Sequence, residues 1–205
     1  MTLTLLHTAE AHRITFDTLR DRIAPGRGLH HIVRKDLLDR ARHGINDVLR
    51  SEIATLIETA PGLTLCTCTT LGPVAADAGA IRIDQPMMQA AAALPGDILM
   101  AYCLESTLAP SLSLLEAELA RADRPAPVHP LPLNALWPLF EAGETQAFAI
   151  GIAAEIRHVA AQLPGLGSIV LAQASMAGAA DLLRDLSIPV LASPELALCA
   201  ALSRL

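Results

Sequence analysis

Short apolar runs alternate with longer amphipathic stretches along this chain, and the alternation passes through the same order twice. Short runs closed by turn residues read as buried strands, and stretches with apolar positions three and four apart read as helices. The pattern is therefore that of βα units around a parallel sheet. In the first half, strands are predicted at Leu3–Leu6, Leu29–Val33, Leu63–Cys66 and Ala80–Ile83. Helices are predicted over Ala9–Ile23 and Asn46–Thr59, and Pro86 opens a third, Ala-rich one. In the second half, strands are predicted at Ile98–Tyr102, Val128–Leu131, Ser168–Ala172 and Val190–Ala192. Helices run from Thr107 to Ala122 and from Pro194 to Leu205, with helical material between Asn134 and Gln162.

The halves also correspond in their turns. The third strand of each closes on a polar turn, Cys68-Thr69-Thr70 in one and Gln173-Ala174-Ser175 in the other. The fourth leads into a proline-opened helix in both, through Asp84-Gln85-Pro86 and Ala192-Ser193-Pro194. This reads as a half-chain duplication, with a first lobe over residues 1–95, a second over 96–193, and the helix 194–205 packing back on the first. Ligands bind parallel sheets at the carboxyl ends of the strands, so the two polar turns are expected to meet at one ligand in a cleft between the lobes.

Composition agrees with such a core and excludes several function classes. The chain is 52% hydrophobic, yet it holds only one Trp, one Tyr and three Phe. Ala, Leu, Ile and Val must therefore fill the interior, which suits helices against a buried parallel sheet. A net charge of -6, with no basic run and no aromatic platform, argues against a nucleic-acid surface. No apolar stretch approaches the roughly 20 residues that span a bilayer, and the N-terminus lacks the features of a signal peptide. Four cysteines in 205 residues do not form a disulfide framework, so a reducing, cytoplasmic location is expected.

Lys35 is the only lysine and sits in a charged run, which removes both a pyridoxal phosphate site and a P-loop. Gly165-Leu166-Gly167 precedes a strand and lacks the third glycine of a dinucleotide fingerprint. Ser175 lies in a loose strand–Ser–helix arrangement, but no histidine follows it, because the last is His158. The histidines show no metal spacing: His30 and His31 point to opposite faces of a strand, and Cys66-Thr67-Cys68 has no second ligand pair.

Cys68 remains. It ends a strand ahead of a helix start near Gly72, where a thiol pKa is lowered and the group can act as base or nucleophile. Thr69 and Thr70 add hydroxyls, and the helix start adds free N–H groups suited to a carboxylate. A free cysteine is more often a small buried hydrophobe, the role assigned to Cys66, Cys103 and Cys199.

Leu65-Cys66-Thr67-Cys68-Thr69-Thr70 resembles the first-lobe cysteine turn of the Asp/Glu racemase superfamily, which includes hydantoin and allantoin racemases, maleate cis–trans isomerases and arylmalonate decarboxylases. Arg82-Ile83-Asp84-Gln85-Pro86-Met87, Ser106-Thr107-Leu108-Ala109-Pro110 and Val170-Leu171-Ala172-Gln173-Ala174-Ser175-Met176 fall in the order of that superfamily. The resemblance implies an α/β fold of two Rossmann-like lobes with parallel four-stranded sheets related by pseudo-twofold symmetry. It also implies a small-molecule carboxylate substrate, no organic cofactor or metal, and a homodimer.

Its mechanism places one thiol on each face of the substrate's α-carbon, one removing the proton and the other returning it. Cys68 matches the first thiol; the second falls where this chain has Gln173. Carried over by the resemblance, Thr8, Thr69, Thr70, Ser106, Thr107, Gln173 and Ser175 are the substrate-binding candidates. Asp84 and His7, at predicted strand ends, are candidates for the missing acid/base. Asp84 reads more readily as a cap before Pro86, Arg82 as a solvated charge or a carboxylate partner, and Thr8, Ser106 and Thr107 as caps. A single cysteine also suits a cis–trans isomerase, a decarboxylase, or a binding protein that has lost turnover.

Overall fold

Eight short strands form two separate parallel sheets, each covered by the helices that connect its strands. The computed structural model describes residues 2–205. In chain order the first sheet's elements are β1 (Leu3–His7), α1 (Glu10–Ile23), β2 (Leu29–Val33), α2 (Lys35–Ala41), α3 (Asp47–Thr59), β3 (Leu63–Cys66), α4 (Gly72–Asp77) and β4 (Ile81–Arg82). The sheet runs β2-β1-β3-β4 with every pair parallel.

The central strand β1 is buried at all five residues, as a strand with both faces covered should be. Its partners are in register at Leu5↔His31 and Leu6↔Cys66. The Asn46 side chain caps α3 by accepting from Leu49 N–H at 2.9 Å. Leu49, Ile53 and Ile57, each four residues apart, then turn one buried face inward. The turn into β3 needs Gly62: its φ is +76°, and a Cβ there would overlap the Thr2 carbonyl.

The second sheet is built from α5 (Gln85–Ala93), β5 (Asp97–Tyr102), α6 (Glu105–Arg121), β6 (Val128–Pro132), α7 (Trp137–Glu141), α8 (Thr145–Ala160), β7 (Leu166–Leu171), α9 (Gly178–Leu182) and β8 (Val190–Ala192), and α10 (Ser193–Leu202) follows it. Its order, β6-β5-β7-β8, repeats that of the first, again all parallel. Pro130 and Pro132 cannot donate to a ladder, and β6 accordingly lies at the edge. Phe148, Ile152 and Ile156 of α8 pack on Leu99, Ile169 and Leu171 of the sheet. Trp137 and Phe140 gather around Phe148, with ring centroids 6.3 and 5.5 Å away, so three of the five aromatic residues meet in one cluster.

The chain divides into one unit ending at Pro86 and rejoined by Pro194–Leu205, and a second over Met87–Ser193. This division falls in the first turn of α5, which a first lobe over residues 1–95 would have kept whole. Arg22 of α1 holds Glu195 of α10 at 2.7 Å within the first unit. Among the described residues no helix is long and apolar enough to cross a membrane.

Several elements differ from the sequence reading. The charged run at Lys35 is a helix, because Leu37, Leu38 and Ala41 give it a buried face. A second helix, α9, follows the Gln173 turn. The helical material after Asn134 breaks into a 3-10 turn, α7 and α8, with Gly143 at φ +80° between the last two. Strand β4 has two residues where four were expected.

Candidate functional site

Parallel strands deliver their carboxyl ends to one edge, so in the first unit Thr8 after β1, Thr67 to Thr70 after β3 and Asp84 after β4 share that edge. Cys68 is buried there, at 6% exposure. The Thr8 hydroxyl and the backbone N–H groups of Leu71 and Thr70 face its sulfur and favour the thiolate. Burial outweighs them and holds the thiol pKa above its ordinary value. The expectation of a lowered pKa is corrected on this point: the helix start is present, but the sulfur is desolvated as well. Cys68 is thus a neutral thiol with donors already placed to receive the charge left when its proton departs.

The neighbouring groups are committed to partners. Asp84, fully buried, takes a bidentate pair from Arg82, Nε to Oδ1 at 3.0 Å and Nη2 to Oδ2 at 2.8 Å. Gly72 leaves room for the guanidinium, since a Cβ there would come 2.9 Å from Arg82 Nε. Arg82 therefore meets an internal carboxylate before any external one. His7 is fully buried, with Nδ1 2.8 Å from Thr67 Oγ1 and Nε2 2.9 Å from His31 Nδ1. Burial first, then the positive charges at His12, His31 and Arg13, lower its pKa to about 3. His31 Nε2 continues the chain to Asp17 Oδ1 at 3.3 Å. The path runs from Asp17, partly exposed on α1, through two histidines to Thr67, the residue before Cys68.

Sequence reasoning missed this path. The signal lay in the parallel register: Leu5↔His31 puts His31 on the same sheet face as His7, one step along the diagonal. Register is invisible until the strands are paired.

The second unit's turn is arranged differently. Gln173 follows β7, and its Oε1 accepts from Cys103 N–H at 2.6 Å and Leu104 N–H at 2.9 Å. These N–H groups lie where β5 passes into α6, on the cap residue Leu104 and the residue before it, so the side chain ties down the link between strand and helix. Ser175 Oγ, two residues on, is buried without a hydrogen-bond partner. Thr107 is buried in the first turn of α6, Ser106 beside it is half-buried, and Thr69 and Thr70 are buried in the Cys68 turn.

Of the remaining cysteines, Cys66 and Cys103 are buried, and burial pushes the Cys103 thiol up to about 12. Cys199 is not the buried residue expected: Ala197, Leu198 and Ala201 form the inward face of α10 and leave Cys199 exposed. Among the described residues no three His, Cys, Asp or Glu side chains converge in the manner of a metal site.

Neither a protein-family model nor a curated protein sequence matches this chain. Solved structures do. The glutamate racemase of Francisella tularensis subsp. tularensis SCHU S4, in complex with D-glutamate, superposes with a TM-score of 0.75 over 99% of this chain and 80% of its own, at 11% identity. The fold is the racemase fold. The allantoin racemase of Klebsiella pneumoniae matches at a TM-score of 0.66 and 18% identity, covering 99% of this chain and 86% of that one. The aspartate racemase of Picrophilus torridus matches at 0.64 and 12%, covering 98% and 93%. At these identities the likeness concerns the fold, and it agrees with the superfamily that the Cys68 turn resembles.

Proposed function

We propose that this chain is a cofactor-independent racemase- or isomerase-like enzyme that acts at the α-carbon of a small carboxylate, with Cys68 moving the proton. The observation that carries this reading is the setting of Cys68: a buried thiol on the turn after β3, faced by the Thr8 hydroxyl and two backbone N–H groups. A thiol held above its ordinary pKa is protonated at neutral pH, so its resting role is that of acid. It gives its proton to a carbanion at the α-carbon, and the donors around the sulfur take up the thiolate charge. In the reverse direction the same donors favour removal of the α-proton. Thr69 and Thr70, in the same turn as Cys68, are proposed to hold the carboxylate through hydroxyl and backbone donors.

A second reading has its own support. Gln173 stands where the resemblance implies the second thiol, and an amide neither removes nor returns a proton at neutral pH. That favours chemistry with a single cysteine, a cis–trans isomerisation or a decarboxylation, over two-base racemisation. Purified protein should be given aspartate, glutamate, hydantoins, maleate and aryl malonates, following optical rotation, double-bond geometry and CO₂ release. Turnover that disappears in Cys68→Ala supports the enzyme, and the substrate that turns over separates the two readings. No turnover with any of them, beside tight binding of one, would move the protein to the class of small-acid binders.

A further inference from the structure

We infer that Gln173 is a specificity-determining residue whose amide NH2 donates to an oxygen acceptor, a carboxylate or carbonyl, on the bound acid. The inference rests on the reading of this chain as a protein that takes a small acid. Its ground is the polarity of the Gln173 side chain. Two backbone N–H groups, Cys103 at 2.6 Å and Leu104 at 2.9 Å, converge on one end of the amide. Only the carbonyl oxygen can occupy that end, because the NH2 group would set donor against donor. The amide orientation is therefore fixed by the backbone, and the donor end is the end left for a ligand.

Both hydrogen bonds that the structure gives Gln173 fall on Oε1, while the residue is only 8% exposed. The NH2 end carries neither of these bonds and is not sealed in the interior, so it is open to an acceptor from outside. A second observation lies in the same turn: Ser175 Oγ is buried and has no partner. The turn after β7 thus holds two polar groups whose hydrogen-bonding capacity the protein does not consume. An acid oxygen would supply the missing acceptor to the amide, and the serine hydroxyl can donate or accept beside it.

The arrangement also says what this turn does not bind. Gln173 Oε1 occupies the Cys103 and Leu104 N–H groups, which lie immediately before the first turn of α6. The ligand meets a neutral, oriented donor with no charge to titrate. A ligand group that is itself only a donor, such as an ammonium, is disfavoured at this position.

Gln173→Glu separates the two ends of the side chain. A carboxylate accepts from Cys103 and Leu104 N–H as the amide oxygen does, and more strongly because it is charged. It has no proton to donate at neutral pH. In wild-type protein labelled with ¹⁵N, the Gln173 side-chain NH2 pair is assigned and followed by NMR during titration with malonate, maleate, aspartate, glutamate and hydantoin. With the acid that binds, the pair should shift downfield, and the Kd for that acid should rise about tenfold or more in Gln173→Glu, with Tm unchanged or higher. An unshifted amide, or an unchanged Kd in the variant, overturns the inference while leaving the small-acid reading intact. If wild type binds none of these acids, the small-acid reading fails and this inference with it. The wild-type titration needs no variant, so the test survives a Gln173→Glu protein that does not fold.

Discussion

At the scale of single residues, the question is why Cys68 and not another thiol. Cys66 and Cys103 are as deeply buried, but only around Cys68 do a hydroxyl and two backbone N–H groups converge on the sulfur. Alkylation with iodoacetamide, read by peptide mass mapping at pH 7.5, should modify exposed Cys199 first and Cys68 much more slowly. Thr8→Val removes one donor from the sulfur, so the pH at which Cys68 becomes reactive should move upward. Equal or faster alkylation in that variant would show that the hydroxyl does not support the thiolate. The Arg82–Asp84 pair calls for a different measurement. Arg82→Leu leaves a fully buried carboxylate uncompensated, and breaking a buried pair in this way costs about 3–5 kcal/mol. Urea unfolding should register a loss of that size, whereas a loss under about 1 kcal/mol would mean that the pair is well solvated.

Cys68 with its two threonines was legible in the sequence, because the group that matters is contiguous. Thr8, the hydroxyl that faces the sulfur, lies 60 positions away and is brought there only by the pairing of β1 with β3. The same holds for Gln173: its position after a strand could be read, but its bonds to Cys103 and Leu104 N–H could not.

At the scale of elements, the strands were the most legible part, since a buried parallel strand is a continuous apolar run between turn residues. Strand β2 and strand β8 fall where the pattern puts them. The short helices α2 and α9 were not legible, because one turn or two of helix carries too little periodicity to stand out from a charged or Ala-rich run. The histidine path joins two strands, the turn after β3 and a helix, and the buried histidines of the first unit make it sensitive to pH. Burial lowers His7 from 6.5 to about 3 and His12 from 6.5 to about 4. Below pH 6.5 the unfolded chain takes up these protons while the folded chain does not, so stability falls with pH down to about 4. Each histidine contributes a slope of about 1.4 kcal/mol per pH unit within that window. His12→Leu should flatten the curve of unfolding free energy between pH 6.5 and 4.5, measured by urea denaturation. An unchanged slope would contradict burial of a neutral histidine at this position.

At the scale of the whole molecule, two sheets with one strand order, β2-β1-β3-β4 and β6-β5-β7-β8, carry two turns of different chemistry. The duplicated order was visible in the sequence as repeated turns and prolines. The fold then agrees with racemases at 11% to 18% identity, where sequence comparison alone finds nothing. What distinguishes the halves is a thiol after β3 and a backbone-clamped amide after β7, and the proposed function assigns proton transfer to the first half on that difference.

The most direct test of that claim is exchange of the α-proton in D₂O, followed by ¹H NMR with aspartate, glutamate and hydantoins, for wild type beside Cys68→Ser. The account predicts loss of the α-proton signal of at least one of these compounds with wild type, and no exchange above the buffer rate with Cys68→Ser. Equal exchange by the two proteins would show that another group moves the proton and would contradict the assignment to Cys68.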